Sequence, residues 1–110
     1  DQAKASFQKA LEQTDDRRLH SRAYYGLARI AAIQKDPELA DKLFRKVLEL
    51  DPPIEVGSWT HIFLARLAAA AGERDEAIQH FRSVLEMQGI SARARQVAQE
   101  GIQEISSPKN

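Results

Sequence analysis

The sequence predicts an all-α fold: a short α-solenoid of about six helices arranged as antiparallel pairs. Three observations predict it. The chain matches itself at an offset of 37 residues, apolar residues recur at three- and four-residue steps within each repeat, and cap residues stand where each helix should start or stop. The offset places Ala3, Ala40 and Ala77 in register, and likewise Phe7, Phe44 and Phe81, and Leu11, Leu48 and Leu85. Between them, Leu27-Ala28-Arg29-Ile30-Ala31-Ala32 matches Leu64-Ala65-Arg66-Leu67-Ala68-Ala69. No sustained alternation of period two suggests a strand.

Each element follows from this pattern. Residues 1–14 read as a lone helix of the second type, with Phe7 and Leu11 on its apolar side. Asp15 or Asp16 can cap the next helix, because a short side-chain oxygen accepts an orphan backbone N–H. That helix carries Leu19, Ala23, Leu27, Ile30 and Ala31 on one face and runs to about Lys35. Asp36-Pro37-Glu38 stops it and starts its partner, since proline loses nothing in a first turn. The partner presents Leu39, Ala40, Leu43, Phe44, Val47 and Leu48, and Asp51-Pro52-Pro53 ends it. The cycle repeats with helices at about 54–71 and 75–87, closed by Gly72 and by Gln88-Gly89. A closing helix at about 91–105 shows Ala94, Val97, Ala98, Gly101, Ile102 and Ile105 on one side, followed by a tail from Ser106 to Asn110. The expected organisation is therefore one repeat domain: 1–14, full repeats at 15–52 and 53–89, a closing helix at 90–105 and a tail at 106–110. Opening on Asp1 inside a repeat predicts a segment of a longer protein.

Composition narrows the function classes. With 110 residues the chain has one domain's worth of sequence and a modest core. Sixteen basic residues balance sixteen acidic ones, so the basic excess of a nucleic-acid binder is missing. No apolar run suits a membrane span, which argues against membrane insertion. The lack of cysteine removes disulfides and thiolate metal sites.

Tyr24, Leu27, Ala28, Ala40, Phe44, Val47, Leu48 and Pro52 together resemble the signature of the tetratricopeptide repeat. Ser21 to Pro52 fits that frame without a gap, and Ser58 to Gly89 fits it with His61 in place of the large residue and Gly89 in place of the proline. The resemblance implies a right-handed solenoid of helix pairs whose small residues allow close approach, with Phe44 and Phe81 filling the space between pairs. The usual family period is shorter than this one by three residues, close to one helical turn. Those residues are expected at the start of each first helix, where Asp16–Leu19 and Pro53–Val56 sit.

The resemblance also implies a protein-interaction scaffold in which the first helix of each pair lines a concave face. Carried over, those positions are Arg22, Tyr25, Gly26, Arg29, Ala32 and Ile33, then Trp59, Ile62, Phe63, Arg66, Ala69 and Ala70. The strongest partner-binding candidates are Arg22, Tyr25, Arg29, Trp59, Ile62, Phe63 and Arg66. Tyrosine, tryptophan and arginine dominate binding hot spots, and an arginine fork holds a carboxylate through two hydrogen bonds. The expected partner is a protein or an extended or helical peptide with an acidic group and an apolar anchor. The competing reading is that Trp59 and Phe63 pack under the final helix and both arginines pair with nearby acids. The family's clamp for a chaperone's carboxyl-terminal tail needs lysine and asparagine where this chain has Tyr25, Arg29 and Phe63, so that partner is not expected. A second function reading is a structural or self-associating terminal segment with no ligand, because Phe7 and Leu11 lack an upstream helix and offer a route to a homo-oligomer.

No catalytic, cofactor or metal site is expected. His20, His61 and His80 fall on separate helices without a second histidine one turn away. His61 is expected at the packing position of Tyr24, and His80 in solvent. Asp15-Asp16 and Asp75-Glu76 stand at helix starts, where negative charge is favoured anyway. No Gly-x-Ser-x-Gly turn or phosphate-binding glycine loop occurs, so no enzyme activity is read from the sequence.

Overall fold

Asp16 accepts a hydrogen bond from the Arg18 amide, which fixes the first turn of a helix that carries three of the seven candidate residues, Arg22, Tyr25 and Arg29. The computed structural model describes residues 2–107. Within them lie six α-helices: α1 (Gln2–Gln13), α2 (Arg17–Ile33), α3 (Pro37–Glu49), α4 (Ile54–Ala70), α5 (Arg74–Glu86) and α6 (Ala92–Ser106). Each helix packs on the next, and α2, α4 and α6 also touch in series, which defines an all-α repeat solenoid measuring 50 × 30 × 20 Å. Ser106 closes α6, and the expected tail beyond Ser107 lies outside the described residues.

The two pairs are built alike. Both first helices have 17 residues and both second helices 13, so the first helices are longer by about a turn. Asp36 caps α3 through the Leu39 amide, with Pro37 in the first turn. At the end of α2, the Asp36 amide reaches back to the Ala31 carbonyl, and at the end of α4 the Glu73 amide reaches back to Ala68. Both closures need a left-handed residue, supplied by Gly72 (φ 81°) in the second pair and by Lys35 (φ 62°) in the first. Helix α2 therefore stops at Ile33, two residues before the expected Lys35. The buried hydroxyls repeat as well: Ser21 bonds to the Arg18 carbonyl and Ser58 to that of Glu55.

The symmetry breaks in the last loop. Four residues separate α3 from α4, but five separate α5 from α6, because the left-handed turn falls on Asp51 in one and on Gly89 in the other. Helix α6 is shifted by one residue against the 37-residue frame as a result.

The core is divided along the solenoid axis. One cluster buries Ala28, Ala31, Ala40, Phe44 and Leu64, with Tyr25 and Phe63 at its edge. The other buries Ile62, Ala65, Phe81, Val84, Ala94, Val97 and Ala98, with Trp59 at its edge. Alanines at the contact points bring the helices close enough for each phenylalanine to reach the following pair.

Candidate functional site

Three seams join successive pairs, and each carries a phenylalanine from a second-type helix. Phe7 of α1 lies over Gly26 of α2, and Phe81 of α5 lies over Gly101 of α6, in both cases so closely that an added methyl group would overlap the ring. In the middle seam the receiving position is Phe63. Phe44 cannot press onto the α4 backbone there, and the two rings stack instead, 5.1 Å apart and only 8° from parallel. Tyr25 meets both rings edge-on, at 6.0 and 6.1 Å.

Phe44 is fully buried, whereas Phe63 keeps part of its surface on the face formed by the first helices. Arg29 projects from α2 over the Tyr25 ring at 5.7 Å and over Phe63 at 6.0 Å. Arg66, one repeat later on α4, lies 6.0 Å from Phe63. The aromatic ridge thus holds a guanidinium on either side, an attraction worth about 0.5–1 kcal/mol each at an exposed site. Neither guanidinium has a carboxylate within ion-pair distance among the described residues, where the ion pairs run Arg45–Asp41, Arg45–Glu76 and Lys46–Glu49.

A cleft of about 550 Å³ opens between α2 and α4, lined by Arg22, Tyr25, Arg29, Trp59 and Phe63 together with Phe7, Gly26, Glu55 and Val56. Five of the seven candidates therefore meet in one cleft. Arg66 stands on the far side of Phe63 and lines a neighbouring cleft of about 520 Å³ with Ala69, Arg93, Val97, Glu100 and Glu104. Ile62 departs from the expectation. It is 0% exposed, inside the second core cluster, because its side chain points along the solenoid axis toward α6 and is short enough to be covered completely. Tyr25, its counterpart one repeat earlier, is too long to be covered in the same way. Burial raises its hydroxyl pKa, against a lowering by Arg29 and with a smaller rise from Glu55, so it remains a neutral donor and acceptor. Gly26 is likewise unavailable beneath Phe7, while Ile33 projects into solvent at 76% exposure. Trp59 divides its surface between the cleft and the second core cluster.

Sequence reasoning passed over Glu55 and the α6 residues Arg93, Glu100 and Glu104. The only available signal for the latter was the one-residue loop extension, which aligns Glu104 rather than Gln103 with Arg66. His80 was also misplaced: its Nδ1 lies 3.0 Å from Nδ1 of His61, which does occupy the position corresponding to Tyr24. The reason is that α4 and α5 are close neighbours at that level, so the two half-buried rings face one another. No helix among the described residues is long and apolar enough to cross a membrane.

Residues 21–54, covering α2 from Ser21 onward, α3 and the first residue of α4, match the family model of the tetratricopeptide repeat. No curated protein matches the chain. Domains of this family generally mediate protein–protein interactions and are typically non-enzymatic scaffolds. The matched segment, the recurrence of its helix pair 37 residues later and the serial packing of the first helices together support a tetratricopeptide-repeat assignment.

Proposed function

We propose that the chain binds a segment of a partner protein on the face lined by α2 and α4, and that the segment carries an acidic group next to an apolar anchor. The observation that supports this most is the placement of Arg29 and Arg66 about the exposed part of Phe63, each held by aromatic contact and without a carboxylate partner among the described residues. An aromatic face orients a guanidinium while leaving its N–H groups free, and those groups match a carboxylate in a bidentate fork. Trp59 and Tyr25 supply apolar surface in the same cleft for the anchor.

The test is selection of binders from a displayed library of short peptides, followed by titration of the best ones against the parent and an Arg29→Ala/Arg66→Ala variant. Acidic consensus peptides and a loss of affinity of about tenfold or more in the variant are the expected results. Basic or uncharged peptides, with affinity unchanged by the substitutions, would overturn the reading.

A second reading has one observation behind it. Helix α1 buries no residue, and Phe7, Ala10 and Leu11 keep part of their surface exposed. Pairing of α1 with another copy would cover them. Light scattering across a range of concentrations decides it: growth in mass supports self-association, and a constant monomer mass removes it.

A further inference from the structure

The second helix pair contains a histidine–histidine contact at positions where the first carries a tyrosine and a leucine. Tyr24 and Leu43 of α2 and α3 correspond, one repeat later, to His61 and His80 of α4 and α5. Their Nδ1 atoms are 3.0 Å apart and their ring centroids 5.2 Å, with the rings tilted by 38°. That contact requires one Nδ1 to donate and the other to accept. If both rings carry a second proton, two N–H groups and two positive charges meet at hydrogen-bond distance in a half-buried space.

The surroundings offer a second proton little compensation. Glu76 lies one turn before His80 on α5, and Asp41 and Arg45 face it from α3. Arg45 binds both acids, Asp41 at 2.9 Å and Glu76 at 3.2 Å, so the carboxylates nearest the pair are already partnered with a cation.

We propose that His61 and His80 form an acid-sensitive latch between α4 and α5, closed while at least one ring is neutral and weakened when both are protonated. The latch joins the helix that carries Trp59, Phe63 and Arg66 to its partner, yet it rests on the geometry of the pair and stands whether or not that face binds a peptide.

The electrostatics run the same way. Burial, and for His61 the charge of His80, holds that imidazole below the ordinary histidine pKa; burial does the same for His80, assisted by Arg45 and opposed by Glu76 and Asp41. In the unfolded chain both rings titrate near the ordinary value of about 6.5, so below that pH the unfolded state binds more protons. Stability is complete above that value and falls as the pH drops through it toward the folded-state pKa values.

The experiment compares urea unfolding of the parent chain with that of a His61→Tyr/His80→Leu variant, which installs the pair used by the first repeat. Both are measured at about pH 7.5 and about pH 5. His20 and all carboxylates are common to the two proteins and cancel from the comparison. The parent midpoint is expected to fall at the lower pH and the variant midpoint to fall by clearly less. An NMR titration of the parent adds a readout independent of the variant's folding, with the His61 and His80 ring protons expected to titrate below the value for free histidine. Equal falls in the two midpoints, or titration of both rings at the free value, would overturn the latch.

Discussion

The seam between the first and second pairs and the seam between the second pair and α6 solve the same problem differently. Each must receive a phenylalanine from a second-type helix. At the later seam Gly101 lets the Phe81 ring rest on backbone, and the surface above it is left to charged residues such as Arg93 and Glu100. At the earlier seam Phe63 fills that place, so the Phe44 ring is stacked and the second ring of the stack is lifted toward solvent between two arginines. A single side chain in the receiving position thus separates a joint whose ring rests on backbone from one that leaves part of an aromatic ring exposed.

The largest effect should come from removing the ring that both solutions serve. Phe44→Ala, fully buried, is expected to cost about 3–5 kcal/mol in urea melts. Phe7→Ala, at the half-exposed first seam, should cost clearly less; equal losses would mean that the middle seam is no tighter than the terminal one. Gly101→Ala should cost about 1–3 kcal/mol because Phe81 is held between α5 and α6 and cannot retreat. Gly26→Ala should cost less, since Phe7 sits on a terminal helix that buries no residue and can shift. Ala40→Leu, at a fully buried contact within the first pair, belongs to the same class at about 1–3 kcal/mol. A smaller effect of opposite sign is expected at the pair closures. Lys35→Gly relieves the left-handed conformation that Gly72 adopts freely in the second pair, and should raise stability by about 0.5–1 kcal/mol. Arg29→Ala and Arg66→Ala should each change stability by no more than an exposed cation–π contact is worth, about 0.5–1 kcal/mol, because both side chains are exposed. A larger loss would assign the arginines to holding the seam rather than to a partner.

Much of the fold was legible because its signals are local. Caps such as Asp16 and Asp36, the turn at Gly72 and the spacing of Ala40, Phe44 and Val47 each act within a few residues, and that spacing recurs 37 residues later at Ala77, Phe81 and Val84. The site was less legible. Tyr25 and Ile62 occupy one repeat position, yet only Tyr25 reaches the cleft, and that outcome depends on how much of each side chain the next helix covers.

By itself, then, the sequence determined the helices, their pairing and the residues that knit each pair, since backbone hydrogen bonding and side-chain periodicity operate over one or two turns. The tertiary structure alone decided the burial of Ile62, the stacking of Phe63 on Phe44, the meeting of His61 with His80 and the shifted register of α6. Each of these depends on where a neighbouring helix comes to rest. A few ångströms in that position, set by one added loop residue or one bulky side chain, decide whether a side chain is covered, stacked or left facing solvent.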